Sequence, residues 1–107
     1  MVEPGLDEHE WRTEWEQLEP LVVDSPREAL PELDRLIEQM MRERGLPTTE
    51  EEAFESADPE VVAEFLEARR ITRAVEADQD DDPGDVAAAI TSYRNLYEFL
   101  LEEYRSP

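Results

Sequence analysis

The stretch SPREALPELDRLIEQMMRERGLP, residues 25–47, spells out a helix from its first residue to its stop signal. Ser25 is a residue type that caps free backbone N–H groups, Pro26 suits the first helical position, and Glu28 completes a capping box. Leu30, Leu33, Ile37 and Met40 follow at spacings of 3, 4 and 3, flanked by Ala29, Leu36 and Met41. That is one broad apolar face at the helical period. Gly45, then Leu46-Pro47, ends the run. Pro31 deletes one backbone hydrogen bond, so a kink or a helix effectively beginning near it is expected.

The same grammar recurs downstream. Asp58-Pro59 opens a helix whose apolar side is Val61, Val62, Phe65, Leu66, Ala68 and Val75, fading near Ala77. Asp82-Pro83 opens the last one, where Val86, Ile90, Tyr93, Tyr97, Leu100 and Tyr104 recur at spacings of 4, 3, 4, 3 and 4. Upstream, Trp11, Trp15, Leu18 and Val22 mark an N-terminal helix that Pro20 is expected to close near Glu19. Thr48 or Thr49 is placed to cap a further single turn through Phe54. No segment alternates with a period of two. Helices joined by short connectors favour antiparallel neighbours, so the expected fold is all-α: an antiparallel helical bundle of three main helices plus the N-terminal helix. A single domain over 1–107 is expected, with residues 1–6 disordered and acidic connectors at about 46–57 and 78–82.

Composition excludes much chemistry. The 107 residues hold no cysteine, which removes disulfides, thiolate metal sites and cysteine nucleophiles. All ten basic residues are arginine, so Schiff-base catalysis and lysine-dependent phosphate loops are excluded. Thirty acidic residues bring the net charge to −20, which opposes nucleic-acid binding. Met1 to Leu18 is charged throughout and no run reaches the ~20 apolar residues of a membrane span, so a cytoplasmic protein without secretory signal is expected. Arginine without lysine fits a GC-rich bacterial genome. The acidity is segregated: residues 1–24 sum to −7, and 46–60 and 76–85 to −6 each, while the intervening segments nearly balance. Salt adaptation would be expected to spread it evenly.

Three clusters are candidate sites. Asp78, Asp80 and Asp82 match the first, third and fifth positions of an EF-hand loop, but Pro83 stands where its glycine is needed and Ala89 where its bidentate glutamate is needed. A weak irregular metal site and a solvated connector whose aspartates cap the next helix are the remaining readings. Arg69, Arg70 and Arg73 form a basic cluster suited either to an anion or acidic partner, or to internal pairing with Glu67 and Glu76. Trp11, Trp15, Tyr93, Tyr97 and Tyr104 form either core or an aromatic interaction face. His9, the only histidine, lacks the second ligand of a zincin motif, since Thr13 lies four residues on. No cofactor motif is present.

Asp24-Ser25-Pro26-Arg27-Glu28-Ala29-Leu30, preceded by Trp15 and followed by Leu33-Asp34-Arg35-Leu36, resembles a pattern in uncharacterised actinobacterial helical proteins. Ala89-Ile90-Thr91-Ser92-Tyr93-Arg94, running on to Phe99-Leu100-Leu101, resembles the ends of those chains, while residues 46–85 have no counterpart. The resemblance implies a helical fold and carries no activity. By elimination, the expected function is a non-enzymatic protein–protein interaction or scaffolding module, with a homodimer as one form of it. A ligand- or divalent-metal-binding bundle and an acidic decoy for a basic protein surface are the alternatives.

Overall fold

The computed structural model describes residues 4–53 and 58–103, and every regular element among them is a helix. In chain order these are α1 (Pro4–Asp24), α2 (Pro26–Glu43), α3 (Glu50–Ala53), α4 (Pro59–Glu76) and α5 (Pro83–Glu103). The all-α bundle read from the apolar periodicity is the observed fold. Cross-helix contacts fix the directions. Glu19 meets Arg94 and Trp15 meets Tyr97, so α1 and α5 are antiparallel. Arg69 meets Asp34 and Glu38 while Arg27 reaches the carbonyl of Asp80, so α2 and α4 are antiparallel as well. α2 and α5 then run the same way and pack directly on each other, with α1 on the outer side of α2 and α4 bridging both. The result is a flattened bundle, 43 × 33 × 18 Å over its Cα atoms.

The core is continuous. Leu30, Leu33, Ile37, Met40 and Met41 of α2, Val62 and Phe65 of α4, and Tyr93, Leu96 and Leu100 of α5 are all fully buried. Each such side chain contributes roughly 1.5–3 kcal/mol by leaving water. That burial, rather than helix propensity, holds 18- and 21-residue helices together.

Helix ends depart from the sequence reading in informative ways. Ser25 and Asp58 occupy the cap positions, yet neither makes a side-chain cap bond. Their ψ angles of 72° and 66° fall short of the extended region from which a cap side chain reaches the first turn. The backbone carbonyl of Ser25 instead accepts from the N–H groups of Glu28 and Ala29, both at 3.0 Å. Asp82 does cap α5, its Oδ1 accepting the Gly84 N–H at 2.8 Å. At the other end of α2, Gly45 adopts φ 76°, Leu46 N–H bonds to Met41 O and Gly45 N–H to Arg42 O. This is a Schellman stop, and its buried Leu46 supplies the usual apolar contact. α4 closes identically, with Gln79 N–H on Ala74 O and Asp78 N–H on Val75 O, but Asp78 takes the left-handed position at φ 58°.

Pro20 corrects one expectation. α1 does not close near Glu19 but continues through Pro20 to Asp24. The carbonyl that loses its partner belongs to Glu16, on the exposed side of the helix, and Leu21 and Val22 gain contact with the core. α2 starts at Pro26, as its opening residues predict, and runs on through Pro31. Of the stretch expected to be disordered, residues 1–3 lie outside the described residues, whereas α1 already includes Pro4. α3 is the single turn expected after Thr49; Phe54 lies outside the described residues.

Candidate functional site

The aromatic candidates are built into the core. Trp15 stacks on Tyr97 with ring centroids 4.3 Å apart and planes 9° from parallel, joining α1 to α5. Trp11 is covered by the Arg44 guanidinium, 4.6 Å from its ring. Trp11, Trp15, Tyr93 and Tyr97 are at most 8% exposed, so as an interaction face they are already occupied by their own bundle. Tyr104 lies outside the described residues.

Tyr93 is the centre of a polar cluster where α2, α4 and α5 meet. A carboxylate only accepts, so the Tyr93 hydroxyl donates to Asp34 Oδ2 at 2.8 Å. Its oxygen then accepts from Thr72, 2.7 Å away, whose one hydrogen is contested by the Ala68 carbonyl at 2.9 Å. On the other side of Asp34, Arg69 donates through Nε and Nη2, and the same Nη2 reaches Glu38 at 2.6 Å. Arg69 and Asp34 are each 14% exposed, and the Arg69 guanidinium also covers the Phe65 ring.

The titration behaviour follows from this geometry. Burial pushes the Tyr93 phenol far above its ordinary value of 10; Thr72 opposes this, and the Asp34 charge adds to it. Burial acts to lower Arg69, but its bonds to Asp34 and Glu38 outweigh that and raise it. Burial acts to raise Glu38, but Arg69 and then Arg42 hold it below the usual carboxylate range. The cluster is a clasp in which each charge has its partner.

The arginine trio divides. Arg69 pairs across to α2 rather than with a neighbour on its own helix. Arg70 forms the expected pair with Glu67 at 2.6 Å, which holds Glu67 below its usual range. Arg73 is exposed and makes no ion pair among the described residues; the expected partner Glu76 is exposed beside it.

The aspartate loop turns inward on its own backbone. Asp80 Oδ1 accepts from Asp82 N–H at 2.9 Å, and Asp82 Oδ1 is spent on the α5 cap. The Asp82 N–H, with a further bond to Asp85, holds Asp80 below its usual range, whereas sharing that bond raises Asp85. Asp78, Asp80 and Asp82 therefore do not converge on one point. Among the described residues no three His, Asp or Glu side chains are grouped to hold a metal ion.

Asp34, Glu38 and Thr72 carry the clasp yet were not among the candidates. One signal for them was available: Asp34 and Glu38 sit four apart on α2, beside the apolar stripe of Leu33 and Ile37, where a carboxylate is costly unless paired. Among the described residues no helix is long and apolar enough to cross a membrane. No model of a known family, no curated protein and no solved structure matches this chain.

Proposed function

We propose that the protein is a non-enzymatic interaction module whose partner presents a basic protein surface. The observation carrying this reading is the way the charges are shared out. Arg12, Arg35, Arg42, Arg69, Arg70 and Arg94 each pair with a carboxylate of the same chain. Glu50, Glu51, Glu52, Asp81 and Asp82 remain exposed on the connectors with no arginine in those segments. An exterior of one sign steers oppositely charged partners and repels its own copies. A second copy is therefore a poorer partner than a cationic protein, the more so since Trp11, Trp15, Tyr93 and Tyr97 are buried.

The test uses the intact protein as bait at low salt, with elution by raised salt, beside a bait carrying Glu50→Gln, Glu51→Gln, Glu52→Gln, Asp81→Asn and Asp82→Asn. Basic proteins retained by the first bait and lost by the second are expected. Identical retention by both, or retention indifferent to salt, overturns the reading.

A further inference from the structure

We infer that α1 is an exchangeable arm, able to leave its own bundle for the same seat on a second copy of this chain, and that Pro26 biases the chain toward the closed form. A single residue separates the two helices, since α1 ends at Asp24 and α2 begins at Pro26. The Ser25 N–H still bonds to Leu21 O at 2.7 Å, as in the helix before it, and its carbonyl accepts Ala29 N–H at 3.0 Å, as in the helix after it. The hairpin therefore turns at the Ser25 dihedrals, φ −147° and ψ 72°. Helical values there join α1 and α2 into one helix over residues 4–43. Straightening also gives the carbonyls of Val23 and Asp24, left over at a helix end, the N–H groups of Arg27 and Glu28.

The apolar pattern runs straight through this hinge. Trp11, Trp15, Leu18 and Val22 are spaced 4, 3 and 4; Ala29 follows seven residues on, and Leu33, Leu36 and Met40 repeat 4, 3 and 4. Trp15, Val22, Ala29 and Leu36 thus keep a seven-residue repeat, one stripe along a continuous helix. Two helices joined by a turn need no common phase. Laid antiparallel, two such long helices set α1 of each copy on α2 of the other, with Trp15 of one copy on Tyr97 of the other. These are contacts the monomer already makes, so exchange needs no exposed apolar face. New contacts form where the two hinges cross. Val23 lies there, two residues from Ser25 and 78% exposed, the one large apolar side chain that stands exposed among the described residues.

Pro26 opposes the straight form twice. Its ring crowds Ser25 out of the helical region, and inside a continuous helix it leaves Val22 O without an N–H. At the first position of α2 neither effect matters. Pro20 and Pro31 sit inside helices, so a proline biases the hinge without forbidding the straight form.

Sedimentation at about 0.3 M sodium chloride, where repulsion between copies is screened, tests this. Pro26 is exposed, so Pro26→Ala leaves the core untouched. Its dimer dissociation constant is expected to fall at least about a hundredfold below the parent's, because a dimer carries two hinges. Pro26→Ala with Gly-Ser-Gly inserted after Ser25 lets the hairpin close freely and should be monomeric. The chain has no cysteine, so Glu19→Cys/Arg94→Cys added to Pro26→Ala traces the arm. The native side chains are 3.9 Å apart. A short bismaleimide therefore links the two thiols between chains in an exchanged dimer and within one chain in the closed form. A Pro26→Ala protein that stays monomeric, a dimer linked only within chains, or dimerisation undiminished by the insertion overturns the exchange. The proposed cationic partner is tested separately, through the connector carboxylates.

Discussion

Tyr93 shows how much a single hydroxyl can tie together. Its phenol is fully buried, donates to Asp34 on α2 and accepts from Thr72 on α4. Removing the hydroxyl in Tyr93→Phe leaves Asp34 to Arg69 and Thr72 to the Ala68 carbonyl, so the cost near neutral pH is only about 1 kcal/mol. The difference grows informative in alkali. The folded phenol keeps its proton above pH 10, whereas in the unfolded chain it ionises at about its ordinary value. Stability is therefore complete below pH 10 and falls above it, by about 1.4 kcal/mol per pH unit for one such group. Denaturant midpoints between pH 9 and 11 should fall less steeply in Tyr93→Phe than in the parent, the residual slope coming from Tyr97, which burial also raises. Equal slopes would mean that Tyr93 is not held in its neutral form by the fold. Asp78 makes the opposite case, a residue placed at a cost. It occupies the left-handed stop of α4 at φ 58°, and it puts a negative charge at the negative end of the helix. Asp78→Gly relieves both and should raise stability by about 0.5–1 kcal/mol, seen as a higher midpoint in thermal melts. A lower midpoint would show that the side chain supports the loop.

At the scale of elements, α1 is where a local rule and a tertiary contact disagree. Counting only backbone bonds, Pro20 closes the helix; adding the half-buried Leu21 and Val22, continuing to Asp24 is the better solution. Pro20→Ala supplies the missing N–H to Glu16 at an exposed position and should raise stability by about 1–2 kcal/mol, with slower amide exchange around residues 20–24. No gain on melting would show that this turn takes its stability from packing alone. The other helix boundaries were legible because they are local: Pro26, Pro59 and Pro83 stand at helix starts, and Gly45 fits a left-handed stop. The apolar stripes were legible for the same reason, since a period is written in neighbouring residues. Pairings between helices were not. Helical spacing offers Glu67 to Arg70 and Glu76 to Arg73 but no partner to Arg69, which bonds to Asp34, 35 positions away, and Tyr93 reaches Asp34 across 59. Which carboxylate an arginine meets there depends on how α2 and α4 are rotated about their axes, and thirty acidic residues supply many alternatives. The same gap left core and interaction face as alternatives for the aromatic residues. Spacing put Trp11 and Trp15 on one side of α1, and only the position of α5 shows that Tyr97 covers Trp15.

For the molecule as a whole, charge and thickness act together. A net charge of −20 is carried by a bundle only 18 Å thick in its shortest direction. At about 0.01 M salt the Debye length is roughly 30 Å, so carboxylates on opposite faces repel one another through and around the molecule; at about 0.15 M it is roughly 8 Å and each face is felt alone. Unfolding moves like charges apart, so self-repulsion favours the unfolded chain most at low salt. The ion pairs oppose that trend weakly. Arg70–Glu67 and Arg35–Glu32 are exposed and contribute little, and the Asp34–Arg69–Glu38 clasp is shielded from ions by its burial. The melting temperature should therefore rise by several degrees between about 0.01 and 0.3 M sodium chloride and then level off as the Debye length falls below the spacing of surface charges. A flat or falling curve would mean that surface pairs outweigh the repulsion. The same salt should weaken a complex with a basic partner, because there the screened interaction is attractive. Opposite signs in the two titrations separate loss of the complex from loss of the fold: a complex dissociated by salt while the free protein becomes more stable is lost at its surface and not through unfolding.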